Sequence, residues 1–264
     1  MADDTTPFQT LPGPNGDTLA FRLVEGTGPT VVWLGGYGSD MDGTKAEHLA
    51  RAAAREKTRF LRFDYGGHGA SGGRFEDGTI TSWSADALAV VDALAPRGDL
   101  VLVGSSMGAW IALRLARALR ERGEGERLRG LLLLAPAPDF TERLVEPGLT
   151  AAEREDLARD GLIRRPSPYG DRPTVYTRAL IEDGRGAGVM NGPIELGCPV
   201  HVIQGQEDAD VPTSHALALV ALLPADAVSL TLVRDGDHRL SRPEDLARMD
   251  GALARLRTPV DAPP

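Results

Sequence analysis

The 264-residue chain is poor in several things that define whole classes of protein. It has one cysteine, Cys198, so no internal disulfide can form. Cys198 precedes an apolar, strand-like run, where a small buried packing residue is the better reading than a reactive thiol. No stretch approaches the roughly 20 apolar residues that cross a bilayer, so no membrane span is expected. Residues 1–10 are polar and acidic, without a basic start, an apolar run or a cleavage-like site. No targeting segment is read there, and a cytoplasmic location is expected. Positive charge is in deficit, with 29 Lys and Arg against 38 Asp and Glu. Nucleic-acid affinity rests on cations that neutralise phosphates, so that class of partner is excluded. There is no His-x-x-x-His pair and no cluster of Cys and His, so no metal is expected. No loop ends in Gly-Lys-Ser or Gly-Lys-Thr, and no Gly-x-Gly-x-x-Gly follows a strand. No cofactor is expected either.

What is present suits one soluble domain with a full core. Apolar residues make up 42% and charged residues 25%, an ordinary globular balance. Heavy use of Ala, Arg and Gly suggests a bacterial gene of high GC content. Short apolar runs alternate with helical patterns. Strands are predicted over residues 30–34, 59–64, 100–103, 131–134, 200–204 and 228–233. Helices are predicted from Thr44, around Trp83 to Leu94, over 109–119, over 213–222 and from Pro243. Thr44 with Glu47, and Ser241 with Glu244, are the predicted capping boxes. Arg114, Arg117 and Arg120 are assigned to the solvent face of the central helix. The inner strands are apolar on both faces, which means a mostly parallel sheet covered by helices on both sides. Residues 8–11 and 18–24 should form an antiparallel hairpin at its edge.

Residues 139–196 break the alternation. They are polar, rich in Arg, Pro and Gly, and too long for a structureless loop in a compact domain. A small, mostly helical cap over the carboxyl ends of the strands is expected. The predicted organisation is a core of residues 1–138 and 197–258, a cap of 139–196, and a disordered tail of 259–264.

Gly104-Ser105-Ser106-Met107-Gly108 joins a predicted strand to a predicted helix. A nucleophilic serine in such a turn is lifted above the sheet, and the residues two positions either side must be almost without side chains. Ser106 meets that condition. Ser105 does not, because its flanks are Val103 and Met107, and it should pack or hydrogen-bond locally. A serine needs a base, and the base needs an orienting carboxylate. Of five histidines, only His238 lies in a loop just after the last strand. His48 is assigned to a solvated helix face, His68 to a glycine turn, His201 to a strand and His215 to a helix start. For the acid, the loop after residues 200–204 offers Asp208, with Glu207 and Asp210 as near rivals and Asp139 as a remote one. Asp208 is preferred. An oxyanion hole needs two backbone N–H groups, assigned to Met107 and, in Leu34-Gly35-Gly36-Tyr37-Gly38, to Tyr37.

These residues resemble the α/β-hydrolases, and within them the mitochondrial palmitoyl-protein thioesterase branch that also cleaves acyl glucuronides. The segments that carry the likeness are Trp33-Leu34-Gly35-Gly36-Tyr37, Met41-Asp42-Gly43-Thr44-Lys45-Ala46, Arg62-Phe63-Asp64-Tyr65-Gly66, Val103 to Gly108, and Asp237-His238-Arg239. The resemblance implies Ser106, Asp208 and His238 as a triad, and ester or thioester hydrolysis through an acyl-enzyme. No mitochondrial presequence is read at the start of the sequence, and a bacterial relative is expected. The expected partner is a small acyl substrate or an acylated protein, and the expected state a monomer or homodimer. The alternatives are the same triad applied to other chemistry, C–C hydrolysis or a cofactor-free peroxidase, or a binding protein that keeps the fold.

Overall fold

The computed structural model describes residues 7–167, 170–171, 173–224 and 228–257. Its centre is an eight-stranded sheet. In chain order the strands are β1 (Gln9–Pro12), β2 (Thr18–Val24), β3 (Thr27–Leu34), β4 (Thr58–Phe63), β5 (Leu100–Ser105), β6 (Leu128–Leu134), β9 (Val200–Gly205) and β10 (Val228–Val233). Across the sheet they run β1-β2-β4-β3-β5-β6-β9-β10. Pairing is parallel from β4 through to β10 and antiparallel at β1–β2 and β2–β4. The expected edge hairpin is therefore present. All six residues of β5 are buried, and a strand hidden on both faces needs helices on both.

The helices supply that cover. On one face lie α2 (Ile80–Leu94) and α3 (Met107–Glu121), with Trp83, Trp110 and Leu113 in one apolar cluster. On the other lie α1 (Thr44–Glu56) and α7 (Pro243–Arg257), with Leu49, Met249 and Leu253 in a second cluster. Helix α6 (Thr213–Val220) joins β9 to β10. Among the described residues no helix is long and apolar enough to cross a membrane.

Local expectations fail at three points. Thr44 does not cap α1: Gly43 is the N-cap without a side-chain bond, and its carbonyl takes the Glu47 N–H at 3.0 Å. At α7, Asp245 rather than Glu244 closes back on the Arg242 N–H (3.3 Å), while the Ser241 hydroxyl donates to the Arg239 carbonyl (2.9 Å). Arg114 is half-buried, donating from Nε to Ser84 Oγ and from Nη1 to the Ala187 carbonyl, both at 2.8 Å. Arg117 and Arg120 are exposed as expected.

Between β6 and β9, the described residues of 139–196 are about half helical and also form a small sheet that was not expected. They carry a π-helical turn (Thr141–Val145), α4 (Ala151–Asp160), a two-stranded antiparallel sheet of β7 (Leu162–Arg165) and β8 (Thr174–Thr177), and α5 (Arg178–Gly186). The tail expected over 259–264 lies outside the described residues. Cys198 is buried, and burial pushes its thiol up to about 11, as befits a packing residue.

Candidate active site

Strand β5 ends at Ser105 and α3 begins at Met107, so one residue makes the turn. That residue, Ser106, has φ 55° and ψ −118°, a left-handed conformation that a side chain rarely adopts. Its N–H donates to the Leu134 carbonyl at 2.9 Å, and its own carbonyl accepts from Ala109 (3.0 Å) and Ala137 (3.2 Å). The flanking glycines are required by contact distance. A Cβ on Gly104 would stand 2.4 Å from the Gly108 carbonyl oxygen, and one on Gly108 2.0 Å from that of Leu34. Ser105 is buried at the end of its strand.

Ser106, Asp208 and His238 meet although they come from three separate loops. His238 Nε2 lies 3.0 Å from Ser106 Oγ, and its Nδ1 lies 2.8 Å from Asp208 Oδ2. An ionised carboxylate only accepts, so the imidazole proton sits on Nδ1 and Nε2 is free to accept from the serine. The Asp208 side chain is fully covered, while that of His238 keeps 16% exposure. Burial alone would raise the Asp208 carboxyl. The His238 hydrogen bond and charge, with the N–H groups of Val211 (2.8 Å) and Asp210 (2.9 Å) on Oδ1, outweigh it and hold the group below its ordinary value. Gln204 Nε2 adds a further bond to Oδ2 at 3.1 Å.

The rival acids are placed elsewhere. Glu207 is exposed. Asp210 brings its backbone N–H to Asp208. Asp139 is fully buried and accepts from the N–H groups of Val189 (2.8 Å) and Met190 (2.9 Å). Asp208, Asp210 and His238 offer donor atoms within 4.8 Å of one another. A cation there would compete with the Asp208–His238 bond and with the two N–H groups on Oδ1.

The other histidines are structural, though not all as expected. His48 is not merely solvated, since its Nε2 is 2.9 Å from the Asp250 carboxylate. His201 pairs with Thr231 Oγ1 at 2.9 Å, and His215 Nε2 donates to the Pro138 carbonyl at 2.8 Å. His68 has a role that its sequence position did not announce. Its Nε2 accepts the N–H of Gly38 at 3.3 Å, so it grips the loop after β3. Burial lowers its pKa to about 4, which keeps the acceptor nitrogen unprotonated at neutral pH.

That loop lies against the serine: a Cβ on Gly36 would come within 3.4 Å of Ser106 Cβ. Neither the Tyr37 nor the Met107 N–H donates to an acceptor among the described residues. The Tyr37 side chain points the other way, its hydroxyl donating to the Val175 carbonyl and its ring stacking on Tyr176 at 5.5 Å and 4°. Burial raises the Tyr37 phenol far above its usual range.

These groups line one cavity of about 650 Å³. Ser106 and His238 both line it. Tyr37 and Phe75 stand on one side, Lys45 and Arg239 also line it, and Thr174 and Val175 bring the β8 strand over it.

The comparisons with known proteins agree with this fold. The sequence pattern of the alpha/beta hydrolase family matches residues 31–249. The mitochondrial palmitoyl-protein thioesterase ABHD10 of Homo sapiens is 28% identical over 261 residues, covering 97% of this chain and 83% of that protein. Among solved structures, a candidate hydrolase from Agrobacterium vitis S4 is 50% identical with a TM-score of 0.91, covering 96% of this chain and all of that one. Alpha/beta hydrolase domain-containing protein 10 from mouse is 27% identical with a TM-score of 0.84, covering 95% and 98%. Est1E from Butyrivibrio proteoclasticus, at 19% identity and a TM-score of 0.75, shares the fold. With the family pattern spanning most of the sheet and every loop described above, the chain belongs to the alpha/beta hydrolase family.

Proposed function

We propose that this protein is a serine esterase or thioesterase working through an acyl-enzyme. The observation that carries the reading is the unbroken chain of hydrogen bonds from Asp208 through His238 to Ser106, ending in an open cavity. In the proposed cycle His238 Nε2 takes the Ser106 proton as Oγ attacks the acyl carbonyl. The N–H groups of Met107 and Tyr37 receive the developing oxyanion, and the absence of other acceptors for them among the described residues supports this. Asp208 holds the imidazole in the correct tautomer and stabilises its cation. His238 then hands the proton to the departing thiol or alcohol. Water, deprotonated by His238, attacks the acyl-enzyme, releases the acid and restores Ser106.

Residues 139–196 serve as the cap in this reading. Val175 and Thr174 stand over the cavity, and Tyr37 ties the cap to the loop of the proposed oxyanion donor. The likeness to a palmitoyl-protein thioesterase favours acyl thioesters, with acyl glucuronides as related activated esters. The test is Ser106→Ala on p-nitrophenyl esters and on acyl-CoA. Turnover should fall about a thousandfold or more, and unchanged turnover on both would overturn the reading. Chain-length panels of matched oxyesters and thioesters then define the acyl group.

A further inference from the structure

Lys45 lies on the wall of the cavity that holds Ser106 and His238. Its side chain is half-buried and donates from Nζ to the carbonyl of Arg239, the residue after His238. It has no ion pair: among the described residues no carboxylate oxygen comes within 4.0 Å of Nζ. An ammonium has three donors, and the carbonyl uses one. Burial lowers the Lys45 pKa to about 8, and the Arg239 charge adds to that, while Asp237 and Asp245 act the other way from a distance. An ammonium drawn partly out of water without a carboxylate partner is costly. Perturbed groups of this kind in a cleft mark functional sites.

The surroundings of Lys45 repeat the same charge preference. Gly43 and Thr44, at the start of α1, line the same wall, and Gly43 supplies no side-chain cap to the first-turn N–H groups. Arg239 and Ser241 are there too. Two carboxylates also line the cavity, Asp40 and Glu76. Asp40 accepts the Asp42 N–H at 3.0 Å, and neither pairs with Lys45.

Resting on the reading of Ser106 as nucleophile, we infer that Lys45 is a specificity-determining residue that binds an anionic group carried by the substrate away from the scissile bond. Ester substrates with such a group should be preferred over neutral ones of the same shape.

The test compares matched esters. Mono-p-nitrophenyl glutarate against p-nitrophenyl pentanoate places the charge on the acyl side. The butyrate ester of 3-hydroxybenzoic acid, against that of its methyl ester, places it on the leaving group. In the unmodified protein at least one charged ester should exceed its neutral partner in kcat/KM, and the ratio should fall as salt is raised. Lys45→Met should lower that ratio about tenfold or more, the usual size of a hydrogen bond to a charged group, and Lys45→Arg should restore most of it. Because the readout is a ratio, a loss common to both esters cancels. Ratios at or below one in both pairs overturn the inference, as does a Lys45→Met ratio equal to that of the unmodified protein. If Lys45→Met does not fold, Lys45→Gln gives the same reading. A Ser106→Ala protein of full activity would instead remove the nucleophile assignment itself.

Discussion

At Ser106 the backbone conformation, φ 55° and ψ −118°, costs on the order of 1–3 kcal/mol and is held by hydrogen bonds at both its N–H and its carbonyl. On the proposed reading the strain sets Oγ where His238 reaches it at 3.0 Å, which ties the proposed function to two further residues. Asp208→Asn keeps the shape of the carboxylate but can donate to Nδ1, favouring the wrong imidazole tautomer. We expect kcat to drop about 10⁴-fold with a well-folded protein, measured by ester turnover and thermal melting. Activity within tenfold of the parent would contradict the orienting role. His68→Leu removes the acceptor of the Gly38 N–H and should lower kcat roughly tenfold by loosening the loop beside Ser106. An unchanged kcat would show that the loop holds itself. These residues differ in how visible they were from sequence. Ser106 and His238 declare themselves by glycine spacing and by position after a strand. Asp208 had to be chosen among neighbours, and only the fold shows that its side chain turns inward while Glu207 stays out. His68 looked like turn filler, because its partner Gly38 is 30 residues away and no local pattern links them.

Secondary-structure elements show the same division between period and ending. Helix faces were legible: of the stripe expected on α7, Leu246, Met249, Leu253 and Leu256, the last three are buried and Leu246 is half-buried at the helix start. Caps were not, because any Ser or Thr near a helix start competes with its neighbours. Thr44 was expected to cap α1 and lies one residue inside it, whereas Thr79 and Ser82 form a full capping box on α2. Thr79→Ala should therefore cost about 1 kcal/mol, read as a lower urea midpoint at unchanged slope. A shift as large in Thr44→Ala would contradict the assignment of Gly43. The β7–β8 pair was missed for a different reason. Its strands are four residues each, rich in Arg and Thr, and separated by a segment with three prolines, so neither alternation nor a short turn signal marked them. What stabilises β8 is tertiary: Tyr176 stacks on Tyr37 and packs near Phe140.

Over the whole molecule, parallel pairing was legible because β5 and β6 are apolar on both faces, but the strand order was not, since order depends on crossovers that composition does not record. The core also buries ionisable groups whose titrations oppose one another. Burial lowers His68 to about 4 and shifts His201 and His215 the same way. The unfolded chain takes up those protons near pH 6.5 and the folded chain resists them, so their contribution falls as pH drops from about 6.5 toward 4. Asp86 does the reverse. It is 2% exposed, accepts the Gly66 N–H at 2.9 Å, and is raised to about 6, first by burial and further by Asp17. The folded protein takes up that proton near pH 6 and the unfolded chain only near 3.8, so stability rises as pH falls through this window. The charged form therefore weakens the fold at neutral pH by an order of 2–3 kcal/mol, at about 1.4 kcal/mol per unit. Asp86→Asn keeps an acceptor for Gly66 and removes the charge. It should melt higher than the parent at pH 7.5, lose that advantage by about pH 4, and decline more steeply between them, because the histidines then act without an opposing group. Melting curves at pH 7.5, 5.5 and 4 decide it. A constant gap between the two proteins at all three values would mean that the buried charge of Asp86 does not govern the difference.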